Sequence, residues 1–245
     1  MAGTWTSRTA RAAAGYDAGA ASTGHEIREE VRTLLARKDL GVLPELRKFF
    51  AEHQVAGEPG ANLGQYVSLA LLLGPPPDFR FTVAPTDLPP DAKALVGLVP
   101  LLKSFSAQAE LTTLWARFQS RHEAEIERYS EPVRKAIGLS DAYFGFPSGA
   151  YLGRTYTIYL SLLGPAEQVH ARIYGLNYYL VVTPSKEPKL AEIRHQYLHF
   201  LLDPLAVKYA PEINQKSELR SIARLAPQLR SDFKEDFPFL ATECL

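Results

Sequence analysis

The residues most suited to chemistry sit in one segment, Glu192-Ile-Arg-His195-Gln196-Tyr197-Leu198-His199-Phe-Leu-Leu-Asp203-Pro204. On a helix, positions three and four apart are neighbours. Glu192, His195, His199 and Asp203 therefore share one face, and two imidazoles projecting side by side can clamp a metal ion. The same spacing also occurs in partly exposed helix histidines, or in core histidines bonded to carbonyls. Asp203 has two readings as well. It can accept the free N–H of a ligating histidine and fix its tautomer, or Asp203-Pro204 can make the turn that ends the helix. His170 and Arg172, on the polar face of a strand, are candidates to line a cleft beside the site. Tyr156 and Tyr159 could donate to an oxyanion. The chain has no Gly-x-Ser-x-Gly elbow, no Walker-type phosphate loop and no Gly-x-Gly-x-x-Gly. Its one cysteine, Cys244, reads as a small buried hydrophobe rather than a nucleophile.

The elements that must position these residues follow from hydrophobic period. Leu190, Ile193, Tyr197, Leu198, Leu201 and Leu205 form an apolar stripe, and Pro188 suits the first turn of that helix. Upstream, 155–162, 168–174 and 177–183 alternate as strands, with Gly164-Pro165 and Gly175-Leu176-Asn177 as turns, which predicts a three-stranded antiparallel meander. Helical spacing covers 25–38, 42–54 and 62–73. Gly74-Pro75-Pro76-Pro77 stops the last of these before a short strand at 79–83. Further helices are expected over 91–105 and 110–137, the second broken at Pro132. The fold class is α+β. Residues 1–24, rich in Ala, Gly, Ser and Thr, read as a disordered or loosely ordered lead-in. Residues 25–84 read as a helical N-terminal part, with a soft boundary near 85. Residues 237–245 read as an opening helix that stops without a cap, as in a chain cut from a longer one.

Composition narrows the function classes. Lys+Arg and Asp+Glu both number 27 in 245 residues, so the formal net charge is zero. That argues against a nucleic-acid partner and against a polybasic membrane-surface role. No apolar run approaches the roughly 18 residues of a spanning helix. The N-terminal stretch holds Arg8 and Arg11 but no hydrophobic region, so it is not an intact secretory signal. A lone cysteine fits reducing and oxidising compartments alike.

The segment around the histidines resembles the gluzincin branch of zinc metallopeptidases, and more closely an uncharacterised bacterial family of gluzincin-like domains. The likeness spans roughly residues 105–245. It rests on a strand, Asn177-Tyr-Tyr-Leu-Val-Val-Thr-Pro184, then a helix with His-Glu-x-x-His, then an aliphatic run into Asn-Pro or Asp-Pro. The resemblance implies that 85–245 is a zincin-like domain with a small antiparallel sheet and a metal-site helix. It implies Zn2+ held by His195, His199 and a glutamate from a later helix, which here corresponds to Glu243. It also implies an edge strand, near 177–183, that pairs with an extended peptide or protein substrate. The departure is Gln196, which stands where the family's glutamate takes a proton from the attacking water. An amide cannot act as that base, so hydrolysis is expected to be weak or absent while zinc binding survives. Glu192, one turn back, is the nearest substitute carboxylate. The alternative reading is a non-catalytic protein- or peptide-binding module without metal.

Overall fold

The computed structural model describes residues 2–16, 26–55, 59–145 and 153–244. The helices before the sheet are α1 (Ala2–Ala14), α2 (Glu26–Ala36), α3 (Leu43–Glu52), α4 (Pro59–Leu71), α5 (Pro90–Ala94), α6 (Leu98–Gln108) and α7 (Leu111–Phe144). The strands are β1 (Thr155–Leu160), β2 (Val169–Tyr174) and β3 (Asn177–Val182). After the sheet come α8 (Leu190–Lys208), α9 (Ala210–Asn214), α10 (Ser217–Leu225), α11 (Ser231–Glu235) and α12 (Phe237–Glu243). The α+β class and the helical N-terminal part are as expected. The short strand expected at 79–83 is reduced to an isolated bridge between Leu73 and Phe81.

The chain divides into two units. The first is Met1–Pro132 with Thr157–Lys189, and the second is Val133–Tyr156 with Leu190–Leu245. The division does not fall at residue 85.

In the first unit, the expected loose lead-in is in large part a central helix. Trp5 to Ala10 of α1 are all buried, and α1 packs on α2, α3, α4 and α6. Its Ala, Ser and Thr side chains are short enough for neighbours to close on every side. Trp5 meets Trp115 edge to face at 5.4 Å. Residues 17–24 of the lead-in lie outside the described residues. The core that surrounds α1 includes Leu46, Phe50, Leu69, Leu98, Leu102, Phe105 and Phe118.

The sheet corrects the meander. Strand order is β1-β3-β2 in a mixed sheet, with β2 and β3 antiparallel from Val169 opposite Val182 to Tyr174 opposite Asn177. The β2–β3 hairpin closes through Gly175-Leu176, and Gly175 has φ 58°, the positive value that primed turns need at the first loop position. The β1–β2 connection is longer and buries Leu162 and Leu163. It therefore carries β2 past the adjacent slot, which β3 then fills. Since β3 has a neighbour on both sides, it is not the free edge expected near 177–183.

Pro132 does not break α7, which runs through it to Phe144. Anchors lie on both sides of the proline. In the first unit, Tyr129 shares a 2.7 Å hydrogen bond with the Ser185 hydroxyl. In the second, Ser140 and Asp141 are buried.

Candidate metal centre

All the converging residues lie in the second unit, and α8 is its axis. Buried Ile193, Tyr197, Phe200, Leu201, Leu202 and Ala206 wrap much of the helix surface. Three groups fix its rotation. The Tyr197 hydroxyl donates to Asp141 Oδ1 at 2.6 Å in a buried pair, and burial first, then Asp141, pushes the Tyr197 pKa up. The Tyr156 hydroxyl donates to the Ile193 carbonyl at 3.0 Å. The Arg154 guanidinium donates to the Phe200 carbonyl and lies 4.4 Å over the Phe200 ring.

The Arg154 bond explains how α8 passes Asp203-Pro204 and continues to Lys208, where that dipeptide could have ended the helix. Proline has no N–H for the carbonyl four residues back. Here that carbonyl belongs to Phe200, and Arg154 supplies the missing donor. Asp203 is therefore a helical residue one turn beyond His199. Its Oδ1 accepts from His199 Nδ1 at 3.0 Å. That leaves His199 Nε2 with its lone pair directed away from Asp203, in the tautomer a metal ligand needs.

The third group arrives on α12, which packs on α8. Asp236 caps α12 by accepting from the Phe239 N–H at 3.0 Å. Phe239 and Glu243, four apart, share a face. Phe239 stacks on His199 with centroids 6.2 Å apart, and Phe233 stacks on Phe239 at 5.2 Å. Glu243 then reaches both histidines. Its Oε1 lies 3.1 Å from His199 Nε2, and its Oε2 lies 3.8 Å from His195 Nε2. The two Nε2 atoms are 3.2 Å apart.

These separations have a simple meaning. Ligand atoms at about 2.0–2.2 Å from one ion in a tetrahedral arrangement stand roughly 3.3–3.6 Å from each other. The His199–His195 and His199–Glu243 Oε1 separations, 3.2 and 3.1 Å, fall just below that range, Glu243 approaches His195 through its other oxygen at 3.8 Å, and one ligand atom from each of the three residues lies within 4.8 Å of the other two. With His199 Nδ1–H committed to Asp203, its Nε2 and the Glu243 carboxylate are both electron-pair donors aimed at one point. A cation or a proton there removes their repulsion. His195, His199 and Glu243 thus form a group that could hold a metal ion. Side-chain exposure rises from 10% at His199 to 24% at Glu243 and 49% at His195, so the group opens on the His195 side.

The remaining candidates fall elsewhere. Gln196 is half-buried and, at 100° per residue, sits about 60° around the helix from His199. Glu192 is exposed and is not part of the group. His170 and Arg172 belong to the first unit and have inward partners there: Gln168 Oε1 lies 3.1 Å from His170 Nε2, and Arg172 Nε donates to the Ser68 hydroxyl at 3.0 Å. Ile173, on the opposite face of β2, is exposed. The polar side of this strand is the packed one, because α4 meets it with the buried hydroxyl of Ser68. Tyr156 serves α8 through Ile193. Tyr159 stacks on Tyr179 at 6.0 Å, and burial first, then Tyr179, raises its pKa. Cys244 is exposed, not buried. No helix among the described residues is long and apolar enough to cross a membrane. No protein-family model, curated protein or solved structure matches the chain.

Proposed function

We propose that the second unit is a gluzincin-type, zinc-metallopeptidase-like domain that binds Zn2+ through His195, His199 and Glu243 and hydrolyses peptides weakly or not at all. The observation that carries this reading is the convergence of one ligand atom from each of His195, His199 and Glu243 within 4.8 Å of one another, with Asp203 behind one of them. Two histidines and one glutamate are a ligand set that catalytic zinc sites use, leaving a fourth position open. When bound, the ion supplies Lewis acidity toward a peptide carbonyl. The chain's own part is to hold that ion on a buried helix and to exclude solvent on the His199 side. Gln196 can hydrogen-bond a water molecule but cannot take its proton, and loss of a general base costs about 10²–10⁴-fold. Peptide capture by strand addition at β3 is not part of the proposal, because both sides of β3 are paired.

A metal-free reading has one observation in its favour. His199 lies between two carboxylates, Asp203 and Glu243, and a doubly protonated imidazole would satisfy both. A non-catalytic protein- or peptide-binding module would need nothing more.

Metal analysis of tag-free protein after zinc loading and dialysis separates the two. The zinc reading expects about one ion per chain, lost in His199→Ala and in Glu243→Ala, and kept in Gln196→Glu. A peptide-library digest then expects Gln196→Glu to cleave about 10²-fold or more faster than wild type. A wild-type chain that retains no zinc overturns the metal reading in favour of the binding module.

A further inference from the structure

In the second unit, α10 presents its apolar side to solvent. Leu219, Ile222 and Leu225 are 58%, 66% and 83% exposed. Spaced by threes, they span an arc of about 120° with Ile222 at its centre. The side turned to the protein carries Arg220 and Ala223, both half-buried. Arg220 Nε is shut off from solvent and has no hydrogen-bond partner among the described residues. Two residues apart, Ile222 and Arg220 stand on nearly opposite sides of the helix. A half-turn of α10 would bury the isoleucine and release the arginine, and burial within the chain would favour both changes. The helix keeps the opposite orientation.

The charges beside the apolar stripe are mostly of one sign. Lys216 caps the helix, and Arg220 and Arg224 lie within it. None of the three is in an ion pair among the described residues. Glu218 is the one acidic residue of α10 and sits in its first turn, where the helix dipole favours a carboxylate. Further on, Arg230 is paired with Asp232. The zero net charge of the chain is therefore a sum from which this helix departs. A second exposed stretch of the same unit has similar chemistry. Val207 and Tyr209 are exposed, and Lys208 Nζ lies 5.1 Å over the Tyr209 ring.

We propose that α10 is a lipid-contacting helix that lies along the surface of an anionic bilayer. Leu219, Ile222 and Leu225 enter the boundary of the acyl chains. Lys216 and Arg224 meet the anionic headgroups. A second copy of the chain is a poorer occupant, because it would bring unpaired cations of the same sign to the stripe. The stripe is also a ridge on the outside of a helix, and a fluid bilayer admits a ridge without a preformed groove. Three apolar anchors on one short helix give reversible attachment, not insertion of a spanning segment. None of the metal ligands takes part, so the proposal stands apart from the zinc reading.

The test is vesicle flotation of the full chain with phosphatidylcholine vesicles, either neutral or with about 30% phosphatidylserine. The protein is expected to bind the anionic vesicles at least about tenfold more strongly than the neutral ones, and to be released as salt rises toward about 1 M. Ile222→Gln combined with Leu225→Gln leaves the charge unchanged and should weaken binding at least about tenfold. Its melting temperature should stay close to that of wild type, because both side chains are exposed. Lys216→Gln combined with Arg224→Gln should remove the preference for anionic vesicles, and this pair carries the test if the first does not fold. His199→Ala should bind as wild type does. Absence of binding to anionic vesicles, or binding that both double variants keep, overturns the proposal. Self-association in sedimentation velocity without lipid, lost in the Ile222→Gln and Leu225→Gln pair, assigns the stripe to a second copy and likewise overturns it.

Discussion

At the scale of single residues, Asp203 decides how well the metal group is organised. Its carboxylate holds His199 in one tautomer and one ring orientation, and loss of such a partner typically weakens metal affinity by 10–100-fold. On the proposed zinc reading, Asp203→Asn is expected to raise the zinc dissociation constant by about that factor, with binding retained, in a competition titration against a chromogenic chelator. An unchanged constant would mean that Asp203 only fills space on the helix. The sequence made His195 and His199 legible because their spacing is local and a helix fixes what four residues mean. Glu243 came through resemblance, since nothing local links it to the histidines. Asp203 stayed ambiguous because Asp-Pro has good turn chemistry, and what overrides that chemistry is Arg154, far away along the chain. Contacts of that kind leave no period to read.

At the scale of elements, α8 shows how a proline is accommodated. If Arg154 replaces the amide hydrogen that Pro204 lacks, the two positions are coupled. Arg154→Met alone should remove the guanidinium donor from the Phe200 carbonyl and cost about 1–3 kcal/mol in denaturant unfolding. In a Pro204→Ala background the helix supplies its own donor, so the same change should cost clearly less. Equal costs in the two backgrounds would mean that Arg154 acts through contacts other than the Phe200 carbonyl. The period of the sequence revealed α2 and α3, which have one wet and one dry side, while α4 and β3, buried on nearly every side, were legible from apolar composition and the breakers that flank them. It concealed α1 because the residues that this helix buries are mostly Ala, Ser, Thr and Arg, a composition that reads as a loose lead-in. It also concealed strand order and the inward face of β2. Alternation defines two faces of a strand, but says nothing of which neighbour it pairs with or whether the dry face is the apolar one.

At the scale of the whole molecule, two units share one chain, and their stabilities answer to different conditions. His170 links the first unit to pH. Its ordinary pKa of 6.5 falls to about 4 in the folded chain, through burial first and then Arg8 and Arg172. Between these values the unfolded chain takes up a proton that the folded chain refuses. Stability conferred on the first unit is therefore complete above about pH 6.5 and is lost as pH falls toward 4, by up to roughly 1.4 kcal/mol per pH unit. His170→Gln should flatten that slope in melting curves recorded from pH 4 to 8, and an unchanged slope would assign the loss to other groups. The second unit has a different dependence, set by the order of its parts along the chain. It is interrupted by residues 157–189 of the first, and its third metal-site group, Glu243, comes last. A ribosome delivers the two histidines well before the carboxylate that meets them. During synthesis the residues of the first unit can thus all emerge first, while the histidine pair waits, incomplete, for the Glu243 carboxylate that follows it along the chain.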